Sequence, residues 1–265
     1  MRSGASQDFS ISVPVVACLG ASATEAKVSH DWVRDLAQRP DNRALSFRKF
    51  AKGGDLAFNG LDRLPELARC QPARVVILLG NNDVLALVSP RFERYARARK
   101  HLNATPSPEW YGETMRMIVQ QLKRDTGARI ALCSLLPMGE DPQSAVPFQA
   151  EINRRVREYS QIIAEIASDL DVTYIPVYER LLAQIEASPG RALAAFRIFP
   201  FYRDAFRMFV LKKKLDEIAR INGWRLHTDG IHLNSDGGKI VADLVQAFID
   251  DRVATDSQPT CRTLE

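Results

Sequence analysis

A chain of 265 residues, 46% hydrophobic and 26% charged, has an ordinary globular composition, which excludes collagen-like, low-complexity and wholly disordered classes. At about 150 residues per domain it holds fewer than two domains. The reading is one domain over residues 1–251, with insertions at about 89–108 and 188–224 and a polar tail at 252–265. The net charge of +4 is uneven: residues 191–225 carry nine Lys/Arg against three Asp/Glu, and residues 91–101 carry five against Glu93, which leaves the remaining body acidic. No nucleic-acid-binding motif accompanies these basic segments, so no nucleic-acid partner is expected.

No apolar run reaches the ~18 residues of a membrane span. Ile11–Ala23 ends in Ala-Ser-Ala and imitates a signal-peptide cleavage site, but Asp8 and Pro14 interrupt the pattern, so the expectation is a soluble cytoplasmic protein. Cys18, Cys70, Cys133 and Cys261 are far apart without a C-x-x-C pair, which predicts free thiols and neither a zinc site nor a disulfide framework.

Val13–Leu19 is a continuous apolar run closed by Gly20, as a strand buried on both faces requires. Lys27–Gln38 has helical spacing through Val28, Trp32, Val33 and Leu36 and stops before Pro40. There follow a strand at Leu45–Phe50, a short helix at Gly60–Cys70, a strand at Arg74–Leu79 and a helix at Glu109–Asp125. The alternation continues with a strand at Arg129–Leu135, a long helix at Gln149–Leu170, a strand at Val172–Pro176 and a last helix at Lys239–Asp251. This predicts an open parallel sheet of about five strands with helices on both faces. Ser89–Pro108 and Ser188–Trp224 lack the regular beat and read as excursions above the sheet.

Ligands of such sheets sit beyond the carboxyl ends of the strands, so the residues after each strand carry the chemistry. After the first comes Leu19-Gly20-Ala21-Ser22-Ala23-Thr24, a small-residue turn presenting a hydroxyl; after the second, Lys52-Gly53-Gly54-Asp55. After the third comes Gly80-Asn81-Asn82-Asp83, and Asp229-Gly230-Ile231-His232 precedes the last helix, with Asn234 or Ser235 as its cap. Each alone also serves as an ordinary cap or turn. Together they offer a nucleophile, an oriented base and oxyanion donors.

In this combination the sequence resembles the SGNH/GDSL hydrolase family. Four of the family's blocks match in order: Gly20-Ala21-Ser22, then Gly54-Asp55 with Gly60-Leu61-Asp62-Arg63-Leu64-Pro65, then Gly80-Asn81-Asn82-Asp83, and finally Asp229 to His232. The resemblance implies a flavodoxin-like three-layer α/β/α fold and a serine hydrolase acting on carboxylic esters. It assigns Ser22 as nucleophile, His232 as base, Asp229 as the residue orienting it, and Ser22 N–H, Gly54 N–H and Asn82 as oxyanion donors, with no metal or cofactor. Gly54 is preferred to Gly53. Ala21 departs from the family, which has aspartate there; this is the one feature that favours a catalytically inactive binding protein on the same scaffold. A flavodoxin-like nucleotide binder is disfavoured, since neither G-x-G-x-x-G nor a Walker pattern is present.

His30, His101 and His227 lack comparable partners in the sequence and read as structural or exposed. The expected substrate is a small-molecule or acyl-lipid ester, an acetylated sugar included. Residues 192–214 interleave Leu193, Phe196, Ile198, Phe199, Phe201, Phe206, Met208 and Phe209 with Arg197, Arg203, Arg207 and Lys212–Lys214, and Pro200 is expected to interrupt any long helix. This segment reads either as a helical pair packed on the domain with its arginines in solvent, or as a lid that binds acyl chains or touches a membrane surface.

Overall fold

The computed structural model describes residues 13–196 and 198–251, with residues 198–202 described by backbone alone. The tail 252–265, Cys261, Arg197 and the side chain of Phe201 therefore lie outside the described residues. The first half runs β1 (Val15–Gly20), α1 (Ser22–Glu25), α2 (Trp32–Gln38), β2 (Ser46–Ala51), α3 (Ala57–Leu61), α4 (Leu64–Arg69), β3 (Arg74–Leu78), α5 (Asn81–Val88) and α6 (Pro90–Lys100). The second runs α7 (Pro108–Asp125), β4 (Arg129–Cys133), α8 (Pro147–Asp169), β5 (Thr173–Ile175), α9 (Val177–Ala187), α10 (Ile198–Phe209), α11 (Leu215–Asn222) and α12 (Ser235–Ile249).

All strands pair in parallel in the order β2-β1-β3-β4-β5. The order reverses at β1, so the crevice between the loops after β1 and β3 is the place where this topology binds ligands. Successive β1 side chains go to opposite layers: Ala17 and Leu19 join the core built with α3 to α8, while Val16 and Cys18 join the core built with α2, α9 and α12. Burial on both faces explains the unbroken apolar run. Cys18, Cys70 and Cys133 are free thiols. No helix among the described residues is long and apolar enough to cross a membrane.

Several elements differ from the sequence expectation. Residues 27–31 are not helical, because Asp31 caps α2 by accepting from Arg34 N–H at 3.0 Å and so sets its start. The expected helix at 60–70 is two short ones, α3 and α4, the second carrying Pro65 in its first turn. The excursion at 89–108 contains a regular helix, α6, capped by Ser89, which accepts from Phe92 N–H. Helices α5 and α9 were not foreseen. They follow the strand ends so closely that their apolar residues merge with the strand pattern. Pro200 does not break α10; it lies in the first turn, where the missing N–H has no helical acceptor to lose.

Candidate active site

Three loops and the start of α12 converge beyond the strand ends. Ser22 opens α1 immediately after β1. His232 lies in the loop leading to α12, where Asn234 caps the helix by accepting from the N–H groups of Asp236 and Gly237. Although 210 residues separate them, His232 Nε2 stands 3.0 Å from Ser22 Oγ. The other ring nitrogen, Nδ1, lies 2.8 Å from Asp229 Oδ2. Asp229 Oδ1 also accepts from the N–H groups of Ile231 and His232, at 2.9 Å each, so the three-residue spacing folds the carboxylate back onto its own loop.

The electrostatics follow from this contact. Burial alone would raise the Asp229 pKa, but the adjacent His232 and the two backbone donors overcome it and hold the carboxyl at about 2. Burial opposes the charged form of His232, yet the Asp229 carboxylate prevails and raises its pKa above the usual histidine value.

The loop after β2 is fastened on both sides of Gly54. Gly53 N–H donates to Glu25 Oε2 at 2.9 Å, whereas Gly54 N–H meets no acceptor among the described residues. Lys100, at the end of α6 and only 6% exposed, donates to Gly53 O and to Asp55 Oδ1, the latter at 2.7 Å. Arg63 holds the other Asp55 oxygen. Gly54 adopts φ 77°, where an L side chain is strained, and an added Cβ would come 2.8 Å from Tyr95 Oη and 3.0 Å from Lys100 Cε.

In the loop after β3, the two asparagines part company. Asn81 is consumed by backbone pairing with Leu136, donating to its carbonyl at 2.7 Å and accepting from its N–H at 3.2 Å. Asn82 Nδ2 donates to Asp55 O at 2.8 Å and its side chain lines the cavity. Gly80, at φ 130°, packs against Tyr111, leaving no room for a Cβ. Asp83 is buried and accepts from Ala57 N–H, tying α5 to α3; burial raises its pKa to about 8 against that bond.

The structure thus brings Ser22, Gly54, Asn82, Asp229 and His232 to one cavity of about 850 Å³. No group of His, Cys, Asp and Glu able to hold a metal ion occurs among the described residues. His227 departs from the expectation that it lacks a partner. It is buried, with Nδ1 2.9 Å from Glu140 Oε1 and Nε2 2.9 Å from Pro137 O. Glu140 also accepts from the N–H groups of Arg225, Leu226 and His227, which anchors the segment leading into the Asp229–His232 loop. Burial would raise the Glu140 pKa, but His227 and these donors lower it. Glu140 lies in the loop after β4, and no local pattern in the sequence pairs it with a histidine 87 residues later. Lys100 ends α6, inside the segment whose sequence predicts an irregular excursion.

The geometry can polarise a serine hydroxyl and present N–H donors beside it. None of the curated proteins compared matches the sequence. Among solved structures, the acetyl xylan esterase AlAXEase aligns with TM-score 0.59 at 19% identity, covering 89% of this chain and 99% of that one. A catalytic mutant of Axe2, an acetylxylan esterase from Geobacillus stearothermophilus, aligns with TM-score 0.61 at 15% identity, covering 89% and 94%. A lipase/acylhydrolase from Enterococcus faecalis aligns with TM-score 0.55 at 16% identity, covering 92% and 100%. These likenesses establish the fold. The model of the GDSL-like lipase/acylhydrolase family matches residues 17–240, a span that includes all five site residues, and the chain therefore belongs to that family.

Proposed function

We propose that the protein hydrolyses carboxylic esters through an acyl-enzyme on Ser22. The observation that carries this reading is the continuous hydrogen-bonded chain Asp229–His232–Ser22. A serine hydroxyl is a weak nucleophile at neutral pH, so His232 takes its proton as Oγ attacks the ester carbonyl. His232 then returns the proton to the departing alcohol oxygen, and a water activated by the same ring hydrolyses the acyl-enzyme. Asp229 keeps Nδ1–H directed at itself, which leaves Nε2 as the acceptor facing Ser22.

The negative charge on the former carbonyl oxygen needs donors already in place. Ser22 N–H and Gly54 N–H have no other acceptor among the described residues, and Asn82 retains a second amide hydrogen beyond the one given to Asp55 O. A prepared donor of this kind is worth roughly 3–4 kcal/mol in the transition state. The intact serine–histidine contact beside Ala21 argues against an inactive scaffold. Exposed Phe206, Phe209, Val210 and Leu211 belong to a flap over the acyl portion, and Lys212–Lys214 next to them would meet an anionic lipid surface.

The test is fluorophosphonate labelling with peptide mass spectrometry, joined to turnover of 4-nitrophenyl esters. An adduct on Ser22, lost in Ser22→Ala, supports the reading; absence of adduct and turnover overturns it. Ser22→Ala and His232→Ala should each lower kcat by several orders of magnitude, and the double variant should be little worse than either, because the two act as a unit.

A further inference from the structure

The cavity that holds Ser22 and His232 is bordered on its far side by the insertion 188–224, whose charges do not balance. Among the described residues, and apart from Asp229 and His232, its charged lining is Lys27, Arg191, Arg203 and Arg207 against Glu25 and Asp204. Lys27 pairs with Glu25. Arg203 and Arg207 share the single carboxylate of Asp204, with closest contacts of 3.2 and 2.9 Å. Arg191 has no carboxylate partner among the described residues; it donates to Asn222 O at 3.0 Å and lies over the Trp224 ring, 5.8 Å from its centroid. Two positive charges are left over in a recess whose remaining wall is largely apolar.

The guanidinium groups are also held in place. Asn222 accepts from Arg203 and Arg207 through Oδ1, at 2.9 and 3.0 Å, and donates through Nδ2 to buried Asp204 and to Thr228 O, at 2.8 and 3.0 Å. Thr228 adjoins Asp229, so the cluster is braced against the catalytic loop. Arg203 Nη1, Arg207 Nη2 and Arg191 Nη2 make no hydrogen bond among the described residues. Guanidinium groups held by these neighbours, with donors to spare, suit a planar or tetrahedral oxyanion.

We propose that the substrate is an anionic ester, an apolar acyl or aryl ester bearing a carboxylate, sulfonate or phosphate that the Arg191–Arg203–Arg207 cluster binds while Ser22 attacks the ester carbonyl. This rests on the ester-hydrolase reading and names its substrate class.

The experiment compares kcat/KM for 4-nitrophenyl hydrogen glutarate with 4-nitrophenyl pentanoate, which places an anion or a methyl group at the end of equal acyl chains. A second pair, 4-acetoxybenzoate and 4-acetoxybenzamide, places the anion on the alcohol side. The variant is Arg191→Gln, since it strands no buried carboxylate, and dividing the wild-type ratio by the variant ratio cancels intrinsic reactivity. In one pair that quotient should be about tenfold or more, equivalent to ~1.4 kcal/mol, and it should shrink as salt rises from about 0.05 to about 0.5 M. Quotients near one in both pairs, with all four esters turned over, overturn the anion site and leave the hydrolase standing. Calorimetric binding of 4-nitrophenyl hydrogen glutarate and of 4-acetoxybenzoate to Ser22→Ala protein reads the anion site without turnover: salt-sensitive binding of either one, weakened by Arg191→Gln, supports it, and absence of such binding for both refutes it. Loss of turnover on every ester together with no Ser22 adduct refutes the hydrolase reading instead.

Discussion

Lys100→Met separates what the α6 insertion does for stability from what it does for chemistry. Lys100 is 6% exposed and Asp55 4%, and among the described residues their 2.7 Å pair is shared only with Arg63. Removing one partner of a buried pair costs about 3–5 kcal/mol, and the remaining Arg63 keeps this case near 3. Methionine preserves most of the apolar stem, so little cavity penalty is added. For a chain of this size each kcal/mol shifts Tm by about 2–4 °C, which places the fall at about 6–12 °C. The same ammonium holds Gly53 O and Asp55 on either side of Gly54. If Gly54 N–H serves the developing oxyanion, its release lowers kcat by up to ~10²–10³ with KM little changed. The assay is thermal unfolding by circular dichroism together with kcat and KM measured well below the variant's Tm. A lowered Tm with unchanged kcat would assign Lys100 to stability alone. An unchanged Tm would refute the buried-pair reasoning, and a pure KM effect would remove Gly54 from the oxyanion role.

Three further outcomes follow from the site. Because His232 must be neutral to accept the serine proton and Asp229 raises its pKa, kcat/KM should be low in acid and rise through an apparent pKa above ~6.5; a stopped-flow profile flat across this range with chemistry rate-limiting would contradict the base. Asp83 has a folded pKa of about 8 against roughly 3.9 unfolded, so the native state binds the extra proton between these values and stability should fall as pH rises across that window. Urea midpoints should show this for the wild type and a flatter dependence for Asp83→Asn; parallel curves would refute the assignment. Phe206 and Phe209 are 54% and 56% exposed, so replacing both by serine should leave Tm within a few degrees yet impair long-chain esters while sparing acetates; long-chain activity unchanged from wild type in the folded variant would remove the flap.

Local chemistry made much of the molecule legible. Continuous apolar runs such as Val75–Leu78 mark strands covered on both faces, and helical spacing marks α7, α8 and α12, because both patterns follow directly from backbone period. The blocks after β1, β2 and β3 and before α12 pointed to Ser22, Gly54, Asn82, Asp229 and His232, since small residues, amides and a three-residue Asp–His spacing have recognisable chemistry. Where α2 begins, and the division of α3 from α4, depended on caps and turns that compete with propensity.

Other features belong only to the folded chain. Arg203 and Arg207 were expected in solvent if their segment was structural, yet they grip Asp204 and Asn222 at the cavity wall. His227 was not expected to find a partner, yet it meets Glu140 from a loop 87 residues earlier in the chain. Lys100 reaches Asp55 across 45 residues, and nothing in a basic stretch distinguishes the one lysine that is buried from its exposed neighbours. The sequence by itself determined the periodicities and the local turn chemistry, which act over a few residues. Tertiary structure alone decided which distant charges pair, because that depends on where the strand order reverses and which loops the sheet brings to the same end.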